Sequence, residues 1–190
     1  MITMNANSSL SNQLLIAMPG MKDPNFKSTV TLICEHTNEG ALGIIINRPL
    51  KLKLSNLFNQ ISVKEINPHS ANSPILSGGP IGTERGFVLH NDSHSYENTL
   101  AVSEDINLTL SRDIIESIAK GSGPQQSLIA IGYAGWDSGQ LEEEMLSNFW
   151  LNVQSTPELI FSTPFEDRWY SAARLIGIDL ANISPEVGHA

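Results

Sequence analysis

The residue types that could do chemistry in this chain are concentrated in a few short segments. His90 and His94 flank Asp92 at alternate positions, so on an extended segment the three side chains would share one side. Imidazole and carboxylate groups together suit zinc, iron or manganese, and His36 or His69 would have to complete such a site. The alternative is a polar loop that follows a strand. We favour the loop, and we therefore predict neither a metal nor another cofactor.

Cys34 and His36 are the pair that could provide a thiolate nucleophile and its base. Two positions apart on a strand, they would be separated by roughly 6.5–7 Å along the chain, which is beyond direct hydrogen-bond reach. Cys34 is also the one cysteine of the sequence, which excludes an internal disulfide and a Cys-rich zinc site. Since a lone cysteine in an apolar strand is more often a small buried hydrophobe, enzymatic activity is an open alternative only.

A glycine-rich segment, residues 132–139, joins a predicted strand to a predicted helix. Such a junction can receive a phosphate at the helix N-terminus. The spacing, however, matches neither a dinucleotide-binding fingerprint nor a Walker loop, and Ser138 does not stand in a nucleophile elbow. The helix that follows opens with Glu142, Glu143 and Glu144, which would repel an anion. We interpret the segment as a structural turn.

Two arginines stand at the ends of predicted strands. Arg48 follows an apolar strand and Arg85 precedes another. A guanidinium group binds carboxylates and phosphates bidentately, so both residues are candidates for holding an anionic group. The alternative is that they pair with some of the chain's many carboxylates.

Composition limits the classes of function. The chain has 190 residues, of which 41% are hydrophobic and 16% charged, and this is typical of a globular domain. The formal net charge of -9 argues against nucleic-acid binding through broad phosphate neutralisation. Residues 96–190 carry fourteen acidic and four basic side chains. This acidic half is either a solvated face or a surface for a basic partner.

Targeting signals are not evident. No segment approaches the ~18 consecutive apolar residues of a membrane span, and residues 1–13 lack the basic start and apolar core of a secretory signal. We therefore expect a cytoplasmic protein that does not enter a membrane, with residues 1–12 as a flexible N-terminus.

The elements that must position these residues are short strands early in the chain and helices late in it. Apolar patterning predicts strands at 14–17, 29–36, 42–47, 86–90, 99–103, 127–134, 151–153 and 159–161. A short helix is predicted at 54–60, and capping signals predict further helices at 111–121, from 137 or 138 onward, and at 163–177. Hairpin-length connections favour an α+β fold with a mostly antiparallel sheet and helices concentrated in the C-terminal half.

Several separated blocks of the sequence, in order, resemble the AlgH/YqgE family of bacterial proteins. They span about residues 13–190 and include 14–21, 33–36, 43–49, 78–80, 85–90, 132–136, 139–142, Asn148, Trp150 and Gly188 with His189. The resemblance implies one α+β domain over residues 13–190 with a bent antiparallel sheet. It also implies a regulatory role, since the family name comes from a proposed control of alginate production. It carries over no catalytic residues, and Asp92 and His94 lie outside the matching blocks.

Some polar or amphipathic residues in these blocks stand at strand or helix ends, where binding sites usually form. They are Arg48, Arg85, His90, Trp136, Gln140 and Glu142. We expect them to line a cleft for a small molecule or a protein partner, with the arginines on an anionic group and Trp136 as a stacking face. The alternatives are a transcriptional regulator acting through protein contacts and an enzyme of unknown reaction; direct nucleic-acid binding ranks last.

Overall fold

A sheet of ten strands curls through the computed structural model, which describes residues 9–64, 68–91, 94 and 96–183. The strands are β1 (Gln13–Ala17), β2 (Val30–Thr37), β3 (Gly40–Ile45), β4 (Pro49–Lys53), β5 (Pro74–Ser77), β6 (Ile81–His90), β7 (Thr99–Ala101), β8 (Asn107–Thr109), β9 (Ser127–Asp137) and β10 (Trp150–Gln154). The helices are α1 (Leu54–Gln60), α2 (Pro68–Ala71), α3 (Arg112–Lys120), α4 (Gln140–Leu146) and α5 (Arg168–Arg174), with a π-helix at Glu158–Ser162 and a 3₁₀ turn at Leu180–Asn182. Most helices therefore follow most strands, and the predicted α+β class is confirmed.

The sheet runs in the order β10-β1-β2-β3-β9-β6-β8-β7. Neighbours on this path are antiparallel, whereas β5 joins β9 in parallel and β4 lies antiparallel to β5. The long strand β9 connects the two parts of the sheet. Its residues 129–131 lie between β5 and β6, and its residues 134–137 pair with β3.

The bend in β9 occurs at Gly132. This residue has φ +75°, a left-handed conformation that glycine adopts without steric cost. A Cβ atom there would lie 2.5 Å from the carbonyl oxygen of Gly79, so the loop that contains Gly79 crosses the bend in close contact. The glycines at these two positions allow β9 to pass from one part of the sheet to the other.

Buried apolar side chains form three clusters on the sheet. The first packs the π-helix and α5 against it, and the third packs α1 and α3 against β5 and β9. The second cluster holds α4 against β1, β2 and the end of β9 through Leu141 and Met145. Each fully buried aliphatic side chain stabilises the fold by roughly 1.5–3 kcal/mol, so the burial of Leu141 and Met145 holds α4 in place on the sheet.

One predicted strand and several predicted boundaries were wrong, among them the helix predicted from residue 137 or 138, which begins at Gln140. Residues 159–161 lie in the π-helix, which begins after Thr156: the backbone N–H of Leu159 donates to the Thr156 hydroxyl at 3.2 Å. A short apolar run cannot distinguish a strand from a buried helical turn. The helix predicted from residue 163 begins at Arg168, and β9 extends to Asp137 because β3 pairs with its last residues.

Residues 9–12, which we expected to belong to a flexible N-terminus, are held by hydrogen bonds. The N–H of Asn12 donates to the carbonyl of Ile33 at 2.8 Å, and Leu10 is buried. Several residues named in the sequence analysis lie outside the described residues. They are residues 1–8, Asp92, the side chain of His69, and Gly188 with His189. Within the described residues, no helix is both long enough and apolar enough to cross a membrane.

Candidate functional site

A pocket of about 480 Å³ opens between the loop of residues 20–26, the end of β9, α4 and the start of β10. Pockets of small-molecule sites commonly measure about 300–1,000 Å³. Its lining combines aromatic rings, two carboxylates and one ammonium group: Gly20, Met21, Lys22, Asp23, Phe26, Gly135, Trp136, Gln140, Glu144, Phe149 and Trp150. We call this the α4 pocket.

A single carboxylate organises the α4 pocket. The indole N–H groups of Trp136 and Trp150 both donate to Oε2 of Glu144, at 2.9 and 2.8 Å. The side-chain amide of Gln140 donates to Oε1 of the same residue at 2.9 Å. Three neutral donors therefore fix the orientation of this carboxylate, and hydrogen bonds to an ionised acceptor are stronger than those between neutral groups.

Aromatic rings form one side of the α4 pocket. Phe26 stacks on Trp136 with ring centroids 6.1 Å apart and meets Trp150 edge-on at 5.5 Å, and the two indoles meet edge-on at 6.1 Å. Such arrangements are the favourable ones for aromatic pairs. Trp136 and Trp150 are buried, whereas Phe149 is 48% exposed. The indoles thus form the floor and Phe149 the rim.

The start of α4 directs its polar side chains into the pocket. Oε1 of Gln140 accepts the backbone N–H of Asp137 at 3.0 Å and ties the first residue of α4 to the end of β9; the N-cap is Gly139, so the predicted capping box at Asp137 is not formed. Gln140 and Glu144 are one turn apart and face the indoles, while Leu141 and Met145 are buried. The signal for the pair in the sequence was the position of Glu144 four residues after Gln140, which places both side chains on one face of a helix.

Arg48 binds the backbone of the loop of residues 20–26 from outside the lining of the α4 pocket. Its guanidinium group donates to the backbone carbonyls of Pro24, Asn25 and Lys27, at 3.0, 2.6 and 2.9 Å. Burial lowers the pKa of Arg48, and the charge of Asp23 partly opposes this. Arg48 thereby holds the loop that carries Phe26 and does not line the pocket itself.

Three other predicted site residues also lie outside the lining of the α4 pocket. Glu142 is on the same helix but bonds His36 Nε2 at 2.9 Å through its Oε1. Arg85 is largely exposed, with its Nε 3.5 Å from a carboxylate oxygen of Glu84. His90 is fully buried, and its Nε2 lies 2.8 Å from the hydroxyl of Thr109. The structure thus brings together Trp136 and Gln140 of the six residues, with Arg48 in support.

The Cys34–His36 pair does not have the geometry of a nucleophile and its base. The pairing of β2 with β3 shifts register between Ile33 and Glu35. Cys34 lies in the first cluster with Val30 and Leu32, with its Sγ 3.7 Å from the carbonyl of Leu32, whereas His36, beyond this shift, turns to α4. Burial, followed by the charge of Glu35, raises the pKa of the Cys34 thiol and disfavours the thiolate.

The metal cluster of His90, Asp92 and His94, an alternative that the sequence does not favour, is not assembled by the residues that the structure describes. Among them, no three His, Cys, Asp or Glu side chains converge. His90 is bonded to Thr109, and the ring of His94 lies 6.4 Å from that of Tyr96. Asp92 is outside the described residues.

Sequence reasoning did not identify Phe26, Glu144, Phe149 or Trp150 as site residues. Trp150 stood in a block that resembled the AlgH/YqgE family, but an isolated tryptophan indicates a core residue as readily as a site. Glu144 is one of three consecutive glutamates. It differs from the other two only in the face of the helix on which its side chain lies. Their convergence depends on the pairing of β10 with β1.

Comparison with known proteins gives consistent results over nearly the whole chain. A family model described as AlgH-like matches residues 14–181. The chain is 50% identical over 191 residues to a UPF0301 protein of Ralstonia nicotianae, covering 100% of both, and 49% identical over 182 residues to one of Saccharophagus degradans, covering 96% of this chain and 89% of that one.

Two solved structures are similar to this fold. The solution structure of the AlgH protein from Pseudomonas aeruginosa aligns with a TM-score of 0.80 and 40% identity, covering 100% of both chains. A crystal structure of a Corynebacterium diphtheriae protein aligns with a TM-score of 0.72 over 95% of this chain and 97% of that one. Its identity of 20% supports a shared fold alone.

Proposed function

The chain belongs to the AlgH-like family, and from this premise and the geometry of the α4 pocket we propose that it is a regulatory protein that binds a small ligand there. The observation that carries the proposal is the carboxylate of Glu144, which three neutral donors hold at the aromatic floor of the pocket. Prearranged polar groups in a mostly apolar pocket are typical of ligand sites. The cytoplasmic location expected from the sequence is part of this proposal.

The walls of the α4 pocket support a regulatory role. The loop of residues 20–26 lies between β1 and β2, whereas α4 and β10 follow more than a hundred residues later. Arg48 holds the loop by donating to its backbone carbonyls. Met18, just before the loop, donates its N–H to the carbonyl of Phe149 at 3.0 Å. A ligand that contacts both walls would stabilise the arrangement in which these distant segments meet, and such an effect on the protein's own conformation is what a regulatory ligand requires.

A thermal-shift screen tests this proposal. The panel contains nucleotides, amino acids, amines, carboxylic acids, divalent metals, a chelator and duplex DNA. A ligand at 100 times its Kd adds about 2.7 kcal/mol to stability, which raises Tm by about 5–10 °C for a domain of this size. We expect one ligand class to give such a shift.

Matched variants locate that ligand. Phe149→Ala removes an exposed ring from the rim of the α4 pocket, and we expect it to abolish most of the shift. Leu146→Ala removes a side chain that is 74% accessible from the last residue of α4, three residues before Phe149 and outside the lining, and we expect the full shift to remain. A shift that survives Phe149→Ala, or a panel without any shift, would overturn the proposal.

A second candidate function, regulation through a protein partner, is favoured by the outer surface of α4. Glu142 and Glu143 are exposed on it, close in sequence to the exposed apolar side chains of Leu146 and Phe149. Such a surface fits a partner with basic and apolar groups. Its complex should weaken as salt increases, because salt screens exposed charges. A pull-down that recovers no partner at low salt would count against this function.

A further inference from the structure

We propose that the α4 pocket selects a small organic cation of the alkylated ammonium class over neutral or anionic molecules of the same shape. This inference rests on the proposed function, because it names the ligand class of the same site.

The charges that line the α4 pocket favour a cation. Glu144 contributes a half-buried carboxylate, whereas Asp23 and Lys22 are both exposed on the loop and opposite in charge. The lining contains no arginine; the nearby Arg48 donates to backbone carbonyls, and its charge interacts with that of Asp23. A pocket with an excess of negative charge attracts a cationic ligand and repels an anion.

The carboxylate of Glu144 has no counter-ion among the described residues. Its three hydrogen-bond partners, Trp136, Gln140 and Trp150, are all neutral donors. An ionised carboxylate offers about four acceptor sites. The three donors occupy most of the acceptor sites of Glu144, but because they are neutral they do not balance its negative charge. A ligand therefore interacts more favourably with Glu144 by bringing a positive charge than by offering several hydrogen-bond donors.

This balance distinguishes an alkylated ammonium from a primary amine. A primary ammonium has three N–H donors and needs acceptors for them when it leaves water. An alkylated ammonium has fewer N–H donors or none, and its methyl groups can pack against Phe26, Phe149 and Met21, which line the pocket. Aromatic faces attract such cations through the ring quadrupole.

Three probes with a branched end of the same shape and with different charge test the inference. Choline is the cation, 3,3-dimethyl-1-butanol its neutral analogue and 3,3-dimethylbutanoate an anion with the same branched end. Calorimetric titration measures their affinities, and the indole N–H resonances of Trp136 and Trp150 report the site. Trp169 is the internal control, because its N–H donates to the carbonyl of Ala17 at 2.8 Å, outside the pocket lining.

We expect choline to bind at least about tenfold more tightly than either analogue, with shifts of the Trp136 and Trp150 signals and none of Trp169. Glu144→Gln removes the charge and replaces one acceptor oxygen by a donor, so it should weaken choline binding by about tenfold and weaken binding of the neutral alcohol by a smaller factor. Glu143→Gln removes the same charge from an exposed neighbour outside the lining and should change the affinity less than about twofold.

Lys22→Gln provides a variant that does not touch the core. Because it removes the one positive charge of the lining, we expect it to strengthen choline binding by about two- to fivefold. Equal or tighter binding of the alcohol or the anion, at the same indole signals, would overturn the cation inference and leave the small-ligand proposal standing. If none of the three probes moves those signals, the cation inference also fails, and the thermal-shift screen decides the proposed function separately.

Discussion

The backbone N–H of Leu10 donates to Nδ1 of His36 at 2.9 Å. Nδ1 must therefore be the unprotonated ring nitrogen, and the proton is on Nε2, which donates to Oε1 of Glu142 at 2.9 Å. His36 thus joins the segment before β1 to α4. Its two nitrogens are engaged with these partners, and this explains why it does not serve Cys34 as a base.

We expect His36→Phe to lower the free energy of unfolding by about 1–3 kcal/mol, because a partly buried N–H of Leu10 loses its acceptor. Glu142→Gln should cost less than about 1 kcal/mol, since Glu142 is 52% exposed and surface pairs contribute little. Urea unfolding of both variants measures the difference. An equal loss in the two would contradict the assignment of Leu10 as the important partner.

Gly132 and Gly139 form a matched pair for the bend in β9. Both have φ +75°, but a Cβ would meet the Gly79 carbonyl oxygen at 2.5 Å from Gly132 and nothing within 4 Å from Gly139. Gly139→Ala should cost about 1–2 kcal/mol from backbone strain alone, and Gly132→Ala should cost at least about 2 kcal/mol more because of the clash. Equal midpoints of unfolding would show that the loop yields without cost.

Arg168 is buried beneath the first cluster and donates to the carbonyls of Ile46 and Thr163. Its guanidinium carbon lies 4.4 Å from the ring centre of Phe165. Lysine cannot reproduce the planar fork or the stacking, so Arg168→Lys should cost about 2–4 kcal/mol. Arg174→Lys, at an exposed position of α5, should cost less than about 0.5 kcal/mol.

The pH dependence of these stabilities follows from the burial of the side chain at position 168. Burial lowers the pKa of Arg168 to about 10, below that of the unfolded chain, so this arginine makes stability rise only as pH increases above about 10. In Arg168→Lys the lysine is buried in its place, and burial lowers the pKa of a lysine from a lower starting value, so the cost of this substitution should decrease as pH rises from about 6 to 8, whereas the small cost of Arg174→Lys should be constant. A cost of Arg168→Lys that increases with pH over that range would contradict this.

The Cys34 thiol should react with iodoacetamide at least about a hundredfold more slowly in the native protein than in guanidinium chloride, since it is buried and its pKa is raised. The measurement is mass-spectrometric counting of the adduct over time. Because His36 is turned to α4, His36→Phe should not slow the reaction further. Rapid native alkylation that decreases in His36→Phe would restore the nucleophile hypothesis.

Local signals were sufficient for much of the fold. The prediction of α1 at residues 54–60 was confirmed to the residue, and α3 ends as expected at Gly121, whose φ is +78°. These features depend on neighbours within one helical turn, and a capping glycine or a period of 3.6 residues is visible in the chain itself. The π-helix at Glu158–Ser162 was missed because a few buried apolar residues have no distinguishing period.

The sequence by itself determined the α+β class, the antiparallel character of the sheet and the prominence of Trp136 and Gln140. Only the tertiary structure decided that Glu144 would accept hydrogen bonds from two indole N–H groups, and that Arg48 would bind the backbone of residues 24–27 instead of an anion. The physical reason is that a hydrogen-bond partner is selected by distance and direction within a few tenths of an ångström. Trp136, Glu144 and Trp150 lie on three different elements, β9, α4 and β10, and these elements reach that precision only after the strands have paired and the core has packed.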